Sequence, residues 1–215
     1  MMKKLRLVWL LVAGLSVLAG CASRQNEQGS FRPGGGIAEY REITDKATHA
    51  IERALASLDT VAGQSNGCSP EALKALSADV QYLQVESVQT RARAQAIIAR
   101  GDGYFERFHE TLATVEDPKQ AALIQKQRPQ LEEKFRELKR SSQEVQAVFK
   151  PFLDRLRGLR NSLETDPASL LTNPSQKSLA ETRSNGSLLL EHLARIREQL
   201  DAMKTMITLP GTPNQ

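Results

Sequence analysis

Phe149-Lys150-Pro151-Phe152-Leu153-Asp154-Arg155-Leu156-Arg157-Gly158-Leu159-Arg160-Asn161-Ser162-Leu163 is the stretch that decides the fold. Its apolar residues Phe149, Phe152, Leu156, Leu159 and Leu163 are separated by alternating intervals of three and four, which lays a continuous seam along one side of an α-helix and, when sustained, defines a coiled coil. A half-buried strand would instead alternate every second residue. Followed towards the N-terminus, the same spacing passes through Ala121, Ile124, Arg128, Leu131, Phe135, Leu138, Ser142 and Val145. A helix is therefore predicted over about 118–164, entered at Pro118 behind the capping side chain of Asp117.

Three further seams flank it. The first is Ile37, Tyr40, Thr44, Ala47, Ile51, Ala54, Leu58 and Val61, predicting a helix over about 37–62 with Gly63 as its C′ residue. The second follows Ser69-Pro70-Glu71, a cap and a first-turn proline. It runs through Leu73, Leu76, Val80, Leu83, Ser87, Thr90, Ala94, Ile97, Gly101, Tyr104, Phe108, Thr111 and Val115, predicting one helix over about 70–116. After a breaker region at 164–174 the last seam is Leu179, Thr182, Gly186, Leu189, Leu193, Ile196, Leu200, Met203 and Ile207, a helix over about 174–207. Residues 208–215 read as a disordered tail. The expected fold class is all-α: an antiparallel helical bundle or coiled coil with a long central two-helix hairpin.

Folding that hairpin at Pro118 places Gly101 opposite Phe135 and Ser87 opposite Phe149. It also sets Leu73, Leu76 and Val80 against Leu163, Leu159 and Leu156. Small opposite large is what close packing requires. The first and last helices are too short to cover the hairpin beyond about Arg100 and Gln130, so a two-helix tip is expected to protrude, with Gly101, Gly103 and Pro129 near its base as a candidate bend. The tip residues Tyr104, Phe105, Phe108 and Leu112 form a candidate partner-contact surface, Phe105 lying off the seam. The small seam residues Ser87, Thr90, Ala94 and Gly186 either open a cavity or permit close helix approach.

The chain has 215 residues, 40% hydrophobic and 5% aromatic, with 29 Lys+Arg against 25 Asp+Glu. Such a composition excludes a disulfide-stapled miniprotein, a collagen-like polymer and a polytopic membrane protein. At its start, Met1-Met2-Lys3-Lys4-Leu5-Arg6 precedes 13 apolar or small residues, Leu7 to Ala19. A bilayer-spanning helix needs about 20, so 1–20 reads as a secretory signal and 21–36 as a flexible tether. Loss of the signal removes Lys3, Lys4 and Arg6 and lowers the formal charge from +4 to +1. No global field for nucleic acid then remains, and nucleic acid is not an expected partner. The basic excess sits in the third helix, the first and second being acidic.

Leu18-Ala19-Gly20-Cys21 resembles the lipobox of bacterial lipoproteins. The resemblance implies a diacylglycerol on the Cys21 thiol, cleavage before it and acylation of the new amino terminus, so the membrane is engaged through covalent lipid on Cys21. Ala22, where an Asp would retain a protein, resembles the pattern sorted to the periplasmic face of the outer membrane in Gram-negative bacteria. Cys68 is then the one remaining thiol and reads as a small loop residue.

The motifs that resemble chemical sites lack the context such sites need. Gly63-Gln64-Ser65-Asn66-Gly67 matches G-x-S-x-G, but a nucleophile elbow needs a strand before it. Glu106 and His109 have di-iron spacing, yet two such motifs must face inward and one is present. Arg100-Gly101-Asp102 falls inside a predicted helix. No catalytic residue, metal site or cofactor is expected. Phe152-Leu153-Asp154-Arg155-Leu156, Leu159-Arg160-Asn161 and Leu163, with the lipobox and long helices, resemble a family of helical coiled-coil bacterial proteins of unknown function. That resemblance implies no activity. The expectation is a non-enzymatic scaffold or adaptor for another envelope protein, or for self-association, with a carrier of lipid or an apolar small molecule as the alternative.

Overall fold

The structure is a computed structural model and describes residues 33–207 apart from residue 66. The signal, Cys21, most of the tether and the tail from 208 lie outside the described residues. The described chain is all-α: α1 (Pro33–Ala62), α2 (Pro70–Glu106), the short α3 (Phe108–Ala113), α4 (Pro118–Thr165) and α5 (Asn173–Ile207), with a 3₁₀ turn at Ser169–Leu171. No described helix is long and apolar enough to cross a membrane.

Local sequence sets the boundaries. Ser69 accepts a hydrogen bond from the Ala72 N–H at 3.3 Å and Asp117 one from the Lys119 N–H at 2.9 Å, and each is followed by a proline in the first turn. Both starts are those predicted. Three boundaries differ. Helix α1 already includes Pro33 to Gly36, placed in the tether by their glycine content. The left-handed glycine after α1 is Gly67, with φ +93°, and not Gly63, whose N–H still bonds the Asp59 carbonyl. The predicted helix 70–116 is interrupted at Arg107, where φ −99° and ψ 23° leave the helical region.

The seams bury as their spacing requires. Along α5 every seam residue except Ile207 is buried, and α4 buries Leu131, Phe135, Leu138, Ser142, Phe152, Leu156, Leu159 and Leu163. Helix α1 buries a wider stripe, adding Ile43, Thr48 and Ala50, because it packs against both α2 and α5. The closest pairs are α1 with α2 and α4 with α5, whereas α2 and α4 meet more sparsely. Ion pairs mark the antiparallel directions: Arg53 with Asp79 at 2.5 Å, Arg183 with Asp59 at 2.6 Å and Arg155 with Glu181 at 3.2 Å. Each is partly exposed and contributes little alone.

The register predicted for α2 and α4 holds at Gly101. A Cβ there would lie 2.4 Å from the Phe135 ring, so the small residue admits the large one. Gly186, weighed as a cavity position, does the same for Leu55, whose methyls lie 2.7 and 2.8 Å from the Cβ position. At the opposite end of the bundle the α1–α2 and α4–α5 connections join through the Cys68 N–H, which donates to the Pro167 carbonyl at 2.9 Å.

Gly101→Ala is expected to destabilise the fold by about 1–3 kcal/mol through overpacking, despite the better helix propensity of alanine. Adding Phe135→Leu should recover part of the loss in urea unfolding. Gly186→Ala should cost less, since the ends of the Leu55 side chain can turn away. A Gly101→Ala protein as stable as wild type would show that the register is wrong.

Candidate functional site

Between Leu83 and Ile97 no residue of α2 is buried. The seam positions there are Ser87, Thr90 and Ala94, too small to bridge to α4, and a cavity of about 720 Å³ opens beside them. Its floor is the buried surface of Tyr40, Ile43, Thr44, Ala50 and Ile51 from α1, with Leu193 and Ile196 from α5. Val145, Phe149 and Leu153 of α4 form one wall. The exposed lining residues all belong to α2 and α4, namely Val85, Val88, Arg91, Gln146, Lys150 and Asp154. The mouth therefore lies between those two helices. Val85 and Val88, 53% and 57% exposed, stand on its lip. The volume falls within the range of about 300–1,000 Å³ usual for small-molecule sites, and apolar walls with few polar groups are their usual lining.

Ser87 and Phe149 both line this space. The predicted pairing thus brings them to one place, but the half-buried ring does not fill the volume that serine leaves. One end is closed by the hydroxyls of Tyr40 and Ser142, hydrogen-bonded to each other and buried. At the mouth Lys150 pairs with Asp154 at 2.8 Å, and Arg157 lies 3.5 Å from the same carboxylate. The hydrogen bond from Lys150 holds the Asp154 carboxyl below its ordinary value. Thr90 donates to Glu86 at 3.4 Å.

The tip residues form a cluster. Phe108 is 2% exposed, with the Arg128 guanidinium 4.6 Å from its ring centroid. Tyr104 meets Phe105 and Phe108 edge-on, at 5.2 and 6.0 Å between centroids. Phe105, expected off the seam and open, is half-buried and lies 5.3 Å from Phe135. Burial raises the Tyr104 phenol above its ordinary value, with the Arg128 charge opposing. The aromatic faces thus largely meet one another. Beyond them Leu112, Val115 and Ile124 are half-buried and Leu123 is 46% exposed.

The remaining motifs occupy structural positions. Gly63 to Gly67 belong to a connection between two helices. Glu106 and His109 are exposed, and among the described residues no cluster of His, Cys, Asp and Glu has metal-binding geometry. In Arg100-Gly101-Asp102, Arg100 bonds Glu39, Gly101 receives Phe135 and Asp102 pairs with Lys139 at 2.8 Å. Cys68 is buried, and burial pushes its thiol up, away from thiolate reactivity.

No known protein family, curated protein or solved structure matches the chain.

Two measurements test the site's physics. Thr90→Leu, which adds apolar volume where α2 lacks it, should leave the melting temperature unchanged or raise it, whereas Phe108→Ala should cost about 3–5 kcal/mol. Burial raises the Tyr40 phenol above its ordinary 10.0, with the Ser142 hydrogen bond partly opposing. The folded state therefore resists ionisation that the unfolded chain accepts, so this contribution is complete below pH 10 and declines as pH rises beyond it. Melting curves taken from neutral to alkaline pH should show a shallower alkaline loss for Tyr40→Phe than for wild type.

Proposed function

We propose that this is a lipid-anchored envelope protein that works by binding and not by catalysis, its helical body serving as a scaffold or adaptor for another envelope protein. The lipobox-like Leu18-Ala19-Gly20-Cys21 supports the anchor, with lipid on Cys21 holding the body at the periplasmic face of the outer membrane. Several acyl chains on one residue make such attachment effectively stable. The observation that carries the adaptor reading is the tip beyond the aromatic cluster. There Leu112, Val115, Leu123 and Ile124 remain partly open on a two-helix arm, and apolar stripes on helices are a common means of engaging a partner.

A second reading, a carrier of lipid or an apolar small molecule, is favoured by the cavity between α2 and α4. Ser87, Thr90 and Ala94 are three of the four small residues that the sequence marked for such a space.

Photo-crosslinkers placed at Phe105 and Leu112 in cells should yield discrete adducts with an envelope protein under the adaptor reading. Efficient adducts elsewhere on the body with none at the tip would remove the tip from it. Native mass spectrometry of the tagless protein should retain bound lipid under the carrier reading, and a protein that takes up no lipid or apolar probe would end it.

A further inference from the structure

Across the gap between α2 and α4 runs a row of polar side chains. Ser77, Gln84 and Arg91 follow one another at seven-residue steps along α2, and Glu164, Arg157 and Lys150 follow at the same steps in the opposite direction along α4. The first two levels are complementary: Ser77 donates to Glu164 at 3.4 Å, and the Gln84 amide oxygen accepts from the Arg157 guanidinium. Farther along, Lys139 and Asp102 close the gap at 2.8 and 2.9 Å. The level of Arg91 and Lys150 is different. Two cations share it, and both stand at the cavity mouth.

We infer that the cavity is a site for a single-chain anionic amphiphile, with its chain between α1 and α4 and its carboxylate or phosphate head between Arg91 and Lys150. The inference rests on the carrier reading and deepens it. The walls are apolar while the mouth places cations from both helices, where the two preceding levels of the row place complementary groups. Acids are present at the rim as well: Glu86 accepts from Thr90 and keeps its charge, and Asp154 is shared by Lys150 and Arg157, so the cations Arg91, Lys150 and Arg157 outnumber the acids by one. Among the described residues Arg91 pairs with neither acid. Lys150 is 83% exposed in its exposed i,i+4 pair, so it can turn to a bound anion. The cavity, about 720 Å³ and open between α2 and α4, lies in the size range of small-molecule sites and leaves a head group free to sit at the mouth.

The test is native mass spectrometry of the full chain, cleared of adherent lipid and titrated with palmitate, hexadecanol, hexadecyltrimethylammonium or lysophosphatidylglycerol. Palmitate is expected to bind about tenfold more tightly than the alcohol and more tightly still than the cation. Arg91→Glu with Lys150→Glu, both exposed positions, should abolish or reverse that order while leaving the circular dichroism melt in place. Thr90→Leu should weaken all four. Lysophosphatidylglycerol binding on a par with palmitate would extend the head to phosphate, and its exclusion would confine the site to the carboxylate. Equal binding of palmitate, alcohol and cation, unchanged by the double variant, would overturn the anionic head and leave the carrier reading standing. Failure of every probe to bind would overturn both.

Discussion

The close approach of the Gly101 backbone to the Phe135 ring sets the register in which α2 and α4 lie side by side. With a Cβ position only 2.4 Å from the ring, glycine alone fits. A slip of one heptad along α2 would present Ala94 or Phe108 instead, the first too large for that space and the second an aromatic ring. From this contact the rest of the seam follows at fixed steps. Towards the tip, Arg128 comes over Phe108 and Phe105 meets Phe135. Away from it, Lys139 reaches Asp102, and the levels of Ser87, Thr90 and Ala94 are left without an apolar bridge.

A bundle can leave that interval open because its cohesion resides elsewhere. Helix α1 contributes the most continuous buried surface, and it joins α2 on one side and α5 on the other. With α4 held by α5, the two inner faces of α2 and α4 need not close along their whole length. The gap opens at its mouth, where the rim residues of α2 and α4 are exposed, so it is not a sealed void, whose cost would rise with its volume.

Most of this architecture was legible in the sequence because alternating threes and fours report which side of a helix is inward, and all of the α5 seam before Ile207 follows that rule. Caps were legible for a similar reason: Ser69-Pro70 and Asp117-Pro118 carry both the acceptor and the proline that a first turn requires. Other features depended on contacts that spacing does not encode. The α2 interruption at Arg107 leaves the seam of Tyr104 and Phe108 almost in phase, so periodicity passes over it. Gly67 takes its left-handed conformation where the next residue, Cys68, bonds Pro167 of a distant loop. Small residues at 87, 90, 94, 101 and 186 look alike in a heptad, yet Gly101 and Gly186 receive a large side chain and the other three border open space. The difference lies in the opposing helix.

The like charges at Arg91 and Lys150 show how a site can persist within a fold at small cost. In water, repulsion between exposed cations is weak, about 1 kcal/mol even at 4 Å, and salt reduces it further. Packing therefore exerts little pressure to replace either residue, although the two levels of the row that precede them are complementary. An anion placed between them gains from both charges at once, and it does so beside apolar walls where less water competes. An arrangement that is nearly neutral for the bundle itself would thus select for the charge of an occupant. Selectivity would come from the mouth and affinity from the chain, two properties that separate residues of the site can tune independently.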